Sequence, residues 1–262
     1  MTHPLSAYRT GQGAALLFLH GIGSSRTGWD QQIARLRGSF ACIAPDLPGY
    51  GDSPDPTEVG LDPLADNLVA ILGGQPAHVI GVSFGALMAL ALARRYPSLV
   101  TSLVLADATL GRAGDQDVDR DRWLKHRRAL AANLQSRSLE RAGEIAAPGA
   151  SVAVIEEIAG HMRRARPAGY LAVAQAIIET DAVPWLADIY QPALIICGDQ
   201  DSVTGLAVSN TLAKHLPRAR SIEIAGAGHA PHIERPDRFA QAVHEFLVEF
   251  SPRSDGVPAS VG

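Results

Sequence analysis

Ser83 stands at the centre of Gly81-Val82-Ser83-Phe84-Gly85, a G-x-S-x-G pentapeptide set between two apolar stretches of different kinds. Before it runs Ala77-His78-Val79-Ile80, short and β-rich. After it, Ala86 to Tyr96 is almost without polar residues and closes on Arg94, Arg95 and Pro97 as a helix end. A serine on a sharp strand-to-helix turn has its hydroxyl lifted above the sheet edge and sits at a helix N-terminus, where partial positive charge favours a developing anion. Serine alone is a weak nucleophile at neutral pH. It requires a general base, an acid that orients the base, and donors for the oxyanion.

The chain supplies such groups in the order Ser, Asp, His. The apolar run Ala193–Cys197 ends in Gly198-Asp199-Gln200-Asp201, and Ile222–Ala225 ends in Gly226-Ala227-Gly228-His229. Each polar group thus follows the carboxyl end of a strand, where ligands bind in open α/β sheets. His229 is the expected base. Asp201 is the expected acid, holding the imidazole tautomer and stabilising the imidazolium. Asp199 follows its strand so closely that a turn role fits it better, and Asp107, just after Leu103–Leu105, reads as a loop cap. His20, in Leu19-His20-Gly21-Ile22-Gly23, is expected to fix a loop. The backbone N–H groups of Ile22 in that loop and of Phe84 are the expected oxyanion donors.

These groups need elements to hold them. Strand-length apolar runs recur at Leu16–Leu19, Cys42–Ala44, Val79–Ile80, Leu103–Leu105, Leu194–Ile196 and Ser221–Ile224. Their hydrophobicity is continuous rather than alternating, as in strands buried on both faces of a parallel sheet. Helical segments fall between them, near Trp29–Arg37, Pro63–Gly73, Phe84–Tyr96, Ala207–His215 and Pro236–Phe250. That alternation predicts a doubly wound α/β architecture. From about Leu110 to Leu186 the strand signal stops. Helix-like, Arg- and Ala-rich segments replace it around Arg120–Leu134, Leu139–Ala146, Val152–Arg164 and Gly169–Glu179. The expected division is a core of residues 1–109 and 187–251, a helical cap of 110–186, and a flexible tail of 252–262.

Bulk composition narrows the function classes. The 262 residues are 47% hydrophobic and 19% charged, enough for a substantial core. A net charge of −4 argues against nucleic acid or an anionic membrane as partner. The N-terminus lacks the apolar region of a signal peptide and no stretch has membrane-span length, so a soluble, cytoplasmic protein is expected. Cys42 and Cys197 each lie inside an apolar run and read as buried thiols. His232, three residues after His229, has no H-E-x-x-H pattern or cysteine cluster around it, so no metal site is expected. Gly21-x-Gly23 lacks the remaining glycine of a dinucleotide fingerprint, and no Walker lysine follows. The chemistry calls for no cofactor. His78, His126, His161, His215 and His244 read as surface or packing residues, and the turn-rich Pro45–Ser53 stretch as structural.

Taken together, His20-Gly21-Ile22-Gly23, Asp46-Leu47-Pro48-Gly49-Tyr50-Gly51-Asp52-Ser53, Gly81–Gly85, Gly198–Asp201 and Gly228-His229 resemble the α/β-hydrolase fold superfamily. The resemblance implies an eight-stranded, mostly parallel sheet with a helical cap inserted after the sixth strand. Within the superfamily the chain looks most like 3-oxoadipate enol-lactonases and their small-ester relatives, through the compact helical insertion, Arg166-Pro167-Ala168-Gly169-Tyr170 and Asp181. This likeness implies hydrolysis of a small ester or lactone through an acyl-enzyme. Serine at position 83 disfavours haloalkane dehalogenase and epoxide hydrolase reactions, whose enzymes of similar fold use aspartate there. Carbon–carbon hydrolases of ring-cleavage products share the Ser–Asp–His set and are the alternative reaction. They often extend the oxyanion loop with Gly-Pro-Gly, where this chain has Ser24-Ser25-Arg26. A ligand-binding module without turnover is the alternative of another class. Arginines 120, 122, 127, 128, 163, 164 and 166 would suit a small carboxylate-bearing substrate, although each alone reads as a solvated helix face. Trp123 and Trp185 are the candidate pocket aromatics, or else anchors between cap and core.

Overall fold

The computed structural model describes residues 5–251. The flexible tail expected for 252–262 lies outside them. Seven strands form one sheet: β1 (Ala7–Thr10), β2 (Ala14–Leu19), β3 (Phe40–Pro45), β4 (Ala77–Val82), β5 (Val100–Ala106), β6 (Ala193–Gly198) and β7 (Ala219–Ile224). Their order is β1-β3-β2-β4-β5-β6-β7. Only the β1–β3 pairing is antiparallel, with Ala7 opposite Pro45 and Thr10 opposite Cys42. The described residues therefore hold seven strands where eight were implied, and the long helical insertion follows the fifth.

Parallel strands require crossovers, and helices supply them. These are α1 (Asp30–Leu36), α2 (Leu61–Leu72), α3 (Phe84–Arg95) and α8 (Gly205–His215), while α9 (Pro231–Glu234) and α10 (Pro236–Val248) follow the last strand. The insertion between β5 and β6 carries α4 (Arg120–Ala132), α5 (Ser138–Ile145), α6 (Val152–Met162) and α7 (Pro167–Glu179). Each matches a helical segment read from the sequence to within a few residues. Among the described residues no helix is long and apolar enough to cross a membrane.

Side chains alternate across the sheet, so each central strand feeds two cores. Leu17, Leu19, Val79, Leu103 and Ile195 pack with α2 and α3 in one cluster. Leu16, Phe18, Ile80, Val104 and Ile196 pack with α1 and α10 in another. Continuous hydrophobicity along β4 is thus the sum of two interdigitated faces, and all six of its residues are buried. Helix α3 is buried along Phe84–Ala93, which explains its lack of a polar stripe. Cys42 and Cys197 are buried free thiols, and burial pushes them up to about 11 and about 12.

The Pro45–Ser53 stretch is structural, as expected, and it ties the insertion to the sheet. Gly51 has φ of +45°, and a Cβ there would meet Asp46 Oδ2 at 2.1 Å. Gly49 has φ of +82°, and its Cβ would lie 2.3 Å from the Gly169 Cα in α7. Both positions exclude a side chain on conformation and space. The Gly51 N–H donates to Arg164 O at 3.0 Å and the Arg166 N–H to Gly49 O at 2.9 Å.

Candidate functional site

Ser83 occupies the turn between β4 and α3 with φ of 56° and ψ of −116°. A non-glycine residue at positive φ is strained by about 1–3 kcal/mol, so its surroundings must enforce it. Glycines do so. A Cβ on Gly81 would lie 2.2 Å from Gly85 backbone atoms, and one on Gly85 would lie 2.0 Å from Leu19 O. The Ser83 N–H is held by Ala106 O at 2.9 Å. Phe84 is the first residue of α3, so its N–H belongs to the helix's unsatisfied first turn while its side chain is buried in the core.

The loop after β2 lies against this turn. A Cβ on Gly21 would sit 3.2 Å from Ser83 Cβ. His20 anchors the loop as expected, and its tautomer is determined. Nε2 accepts from the Leu47 N–H at 3.0 Å, so Nδ1 carries the proton and donates to Gly21 O at 3.0 Å. Burial lowers the His20 pKa, which keeps the ring neutral. Ile22 and Ser83 both line one cavity.

Asp201 and His229 meet. Asp201 Oδ1 lies 3.1 Å from His229 Nδ1, and the carboxylate side chain is fully buried. Burial works against its ionisation. The His229 hydrogen bond and charge, with donors from Thr204 and Val203, outweigh burial and hold the carboxyl below the usual range. With Asp201 ionised, Nδ1 is the donor and Nε2 the free acceptor. His229 and Ser83 line the same cavity. Asp199 stands in the turn after β6, but its carboxylate reaches beyond the local backbone, accepting from the Gly226 N–H in the loop after β7 at 2.7 Å. Asp107 is more than a loop cap: it is buried, has φ of +38°, and accepts from the Gly198 N–H at 2.9 Å.

Sequence reasoning missed Glu234. Its buried Oε1 accepts from the N–H groups of Gly228 (3.0 Å) and Ala230 (3.2 Å), which flank His229. Its Oε2 accepts from Ala147 N–H in the insertion at 2.7 Å, and the His229 N–H donates to Ile145 O at 2.8 Å. One carboxylate therefore fixes the histidine loop to the insertion. The sequence signal was slight: an acid five residues after the histidine, beside Ile233.

The cavity over Ser83 measures about 310 Å³, within the range of small-ligand sites. Trp123 lines it; Trp185 does not. Trp185 instead stacks under Arg94 at 4.7 Å, pinning the 3₁₀ turn Val183–Asp188 to α3. His161, read as a surface or packing residue, also lines the cavity, with Nδ1 on Thr27 Oγ1 at 2.9 Å. Burial lowers its pKa.

Most of the seven arginines take the solvated or acid-paired places that each alone suggested. Arg120 donates to Ile178 O, Arg163 pairs with Glu156, Arg164 with Asp52 and Arg166 with Asp55, while Arg122 and Arg128 are exposed. Four arginines line the cavity: Arg112, Arg127, Arg137 and Arg141. Three are paired, with Asp115, Glu140 and Glu144 respectively. Arg127 has no carboxylate partner among the described residues. It stacks on Trp123 at 4.6 Å and donates to Tyr170 Oη at 3.1 Å, and its Nε is buried without a partner. Among the described residues one acid–thiol cluster, Asp107, Cys197 and Asp201, has the spacing of a metal site. It is ill suited to a cation, because donors already surround Asp201 and the Cys197 thiol is pushed up to about 12 by burial.

Comparison with known proteins adds four findings. A family model described as "Alpha/beta hydrolase family" matches residues 16–242. The 3-oxoadipate enol-lactonase 2 of Acinetobacter baylyi is 27% identical over 249 residues, covering 90% of each chain. The pimeloyl-[acyl-carrier protein] methyl ester esterase of Aeromonas hydrophila is 31% identical, covering 93% of this chain and 99% of its own. In structure, a thermophilic esterase from Thermogutta terrifontis with malate bound superposes with a TM-score of 0.85 at 27% identity, covering 95% and 94% of the two chains.

Proposed function

The chain belongs to the alpha/beta hydrolase family, and from that premise we propose that it hydrolyses small carboxylate-bearing esters or lactones through an acyl-enzyme on Ser83. The observation that carries this reading is the His229 Nδ1 to Asp201 Oδ1 contact of 3.1 Å on the cavity that Ser83 enters. His229 Nε2 takes the Ser83 proton as Oγ attacks the carbonyl. The N–H groups of Ile22 and Phe84 hold the tetrahedral oxyanion. Collapse returns the proton to the leaving oxygen and leaves an acyl-serine. In the second half His229 activates water, and the acid departs.

Arg127 supports the carboxylate-bearing class. A guanidinium on the cavity wall, with no acid beside it among the described residues, matches an anionic group on the substrate better than a neutral one. The esterase and enol-lactonase names of the relatives point to the same bond type. The residues 110–186 act as the cap that shapes the pocket.

Turnover of p-nitrophenyl acetate by the wild type, Ser83→Ala and His229→Ala tests the proposal. Each variant is expected to lose about 10⁴-fold or more in kcat, since the groups act as a unit. Equal rates in the wild type and Ser83→Ala would overturn the nucleophile assignment. A panel of enol-lactones, methyl esters and ring-cleavage diketones then separates ester from carbon–carbon cleavage.

A further inference from the structure

Two non-glycine residues among those described have positive φ, Ser83 and Asp107. They follow adjacent parallel strands, β4 and β5, at the same end of the sheet. The mechanism uses the first and leaves the second without a role. Asp107 is 1% exposed, and its carboxyl, the Asp201 carboxyl and Cys197 Sγ each place an atom within 4.8 Å of the others. Two buried carboxyls at that range cannot both be ionised at modest cost.

The hydrogen bonds decide which one holds the charge. Asp201 receives five: from His229 Nδ1 (3.1 Å), the N–H groups of Val203 (2.8 Å), Thr204 (3.4 Å) and Gly205 (3.0 Å), and Thr204 Oγ1 (2.7 Å). Asp107 Oδ1 receives the Gly198 N–H at 2.9 Å, while Oδ2 is buried with no partner. An anionic oxygen left so would carry its full desolvation cost, whereas a hydroxyl there carries far less. Asp107 also reaches the acid-bearing turn through its backbone, because Thr204 Oγ1 lies 3.2 Å from Asp107 O. It therefore touches the turn at Gly198, before Asp201, and at Thr204, after it.

We propose that Asp107 is a positioning residue of the hydrolytic site: as a neutral carboxyl it clamps the 198–205 turn and leaves Asp201 as the sole negative charge behind His229. The proposal rests on the Ser83–Asp201–His229 reading. The titratable groups facing Asp107 are Asp201 and Cys197 from the β6 side and, beyond Asp201, His229 from the loop after β7. Burial, and then the Asp201 charge, raise the Asp107 pKa well above the usual carboxylate value, in agreement with the bonding pattern. A raised folded-state value has a definite sign. The stability that Asp107 contributes is complete below its unfolded value of about 3.9 and is lost as pH rises towards the folded value.

The direct test is ¹³C NMR of the wild-type protein labelled at aspartate Cγ, with Asp107 assigned through Asp107→Asn. A protonated Asp107 beside an ionised Asp201 at pH 7 is expected; an ionised Asp107 at pH 7 overturns the proposal. This measurement does not use turnover, so its failure is distinct from failure of the nucleophile assignment. Kinetics provide the second arm. Asp107→Leu should lose about 10–100-fold in kcat with KM little changed, and Asp107→Asn, the isostere of the neutral acid, should recover to within about threefold of wild type. If Asn is as damaging as Leu, a negative charge is required at 107 and the proposal fails. The melting temperature of Asp107→Asn should rise relative to wild type as pH increases from 5 to 9. A constant offset across that range would contradict a neutral Asp107.

Discussion

The floor of the site and helices α5 and α6 above it are built to opposite tolerances. On the floor, glycines are required by contact. A Cβ at Gly85 would meet Leu19 O at 2.0 Å, one at Gly198 would meet Gly228 O at 2.2 Å, and one at Gly228 would meet Ala147 N at 2.5 Å. In the insertion, a Cβ at Gly143 in α5 or Gly160 in α6 meets nothing within 4 Å. The arginine pairs differ in the same way. Arg26 joins the buried Asp46 at 3.0 Å beside the oxyanion loop, whereas Arg137–Glu140 and Arg141–Glu144 are exposed helix pairs of small individual value. The proposed reaction thus depends on backbone positions without slack. On the proposed reading, selectivity depends on side chains carried in part by α5 and α6, where the backbone leaves room for exchange.

Substitutions can break or sharpen that contrast, in decreasing order of expected effect. Gly85→Ala should abolish activity and lower stability by more than about 2 kcal/mol, because the added methyl meets a strand carbonyl that cannot move. Chemical denaturation measures it, and wild-type stability would erase the claim of a rigid floor. Glu234→Gln exchanges an acceptor-only group that holds Gly228, Ala230 and Ala147 for one with half its acceptors. A kcat loss of about 10–100-fold with little change in KM is expected from a displaced His229 loop. A rise in KM alone would place Glu234 in binding instead.

Arg127→Gln should cost about 10–100-fold in kcat/KM for a carboxylate-bearing ester and about twofold or less for its neutral analogue. Equal losses on both substrates would remove Arg127 from selectivity. The smallest effect belongs to Gly143→Ala, which should stabilise α5 by about 0.5–1 kcal/mol with unchanged activity. Destabilisation there would show that the insertion is as tightly fitted as the floor.

The same contrast explains what could be read from the sequence. Ser83, Asp201 and His229 stand in short segments whose glycines and strand ends follow from local backbone geometry, so residue type and order sufficed to find Ser83 and His229 on one cavity and Asp201 against His229 Nδ1. The four inserted helices were also legible, through segment length and composition. Their orientation was not, because it depends on tertiary contacts such as Gly49 against Gly169. Hence the choice between pocket aromatic and anchor stayed open for both tryptophans, and Trp185 proves to anchor to Arg94, while Arg112, Arg137 and Arg141 reach the cavity unannounced. Glu234 and Asp107 escaped for another reason. Each is a buried acid that reaches a backbone N–H distant in sequence, Ala147 for Glu234 and Gly198 for Asp107, and nothing in residue type distinguishes such an acid from a turn or cap.

Everything proposed for the site turns on Ser83 being an activated nucleophile, and covalent capture tests it most directly. The protein is treated with a p-nitrophenyl alkylphosphonate, and its intact mass and peptide map are recorded. The expected result is a single phosphonyl adduct on Ser83, absent from Ser83→Ala and formed far more slowly in His229→Ala. No adduct, or one on another residue with Ser83 unmodified, would contradict the account.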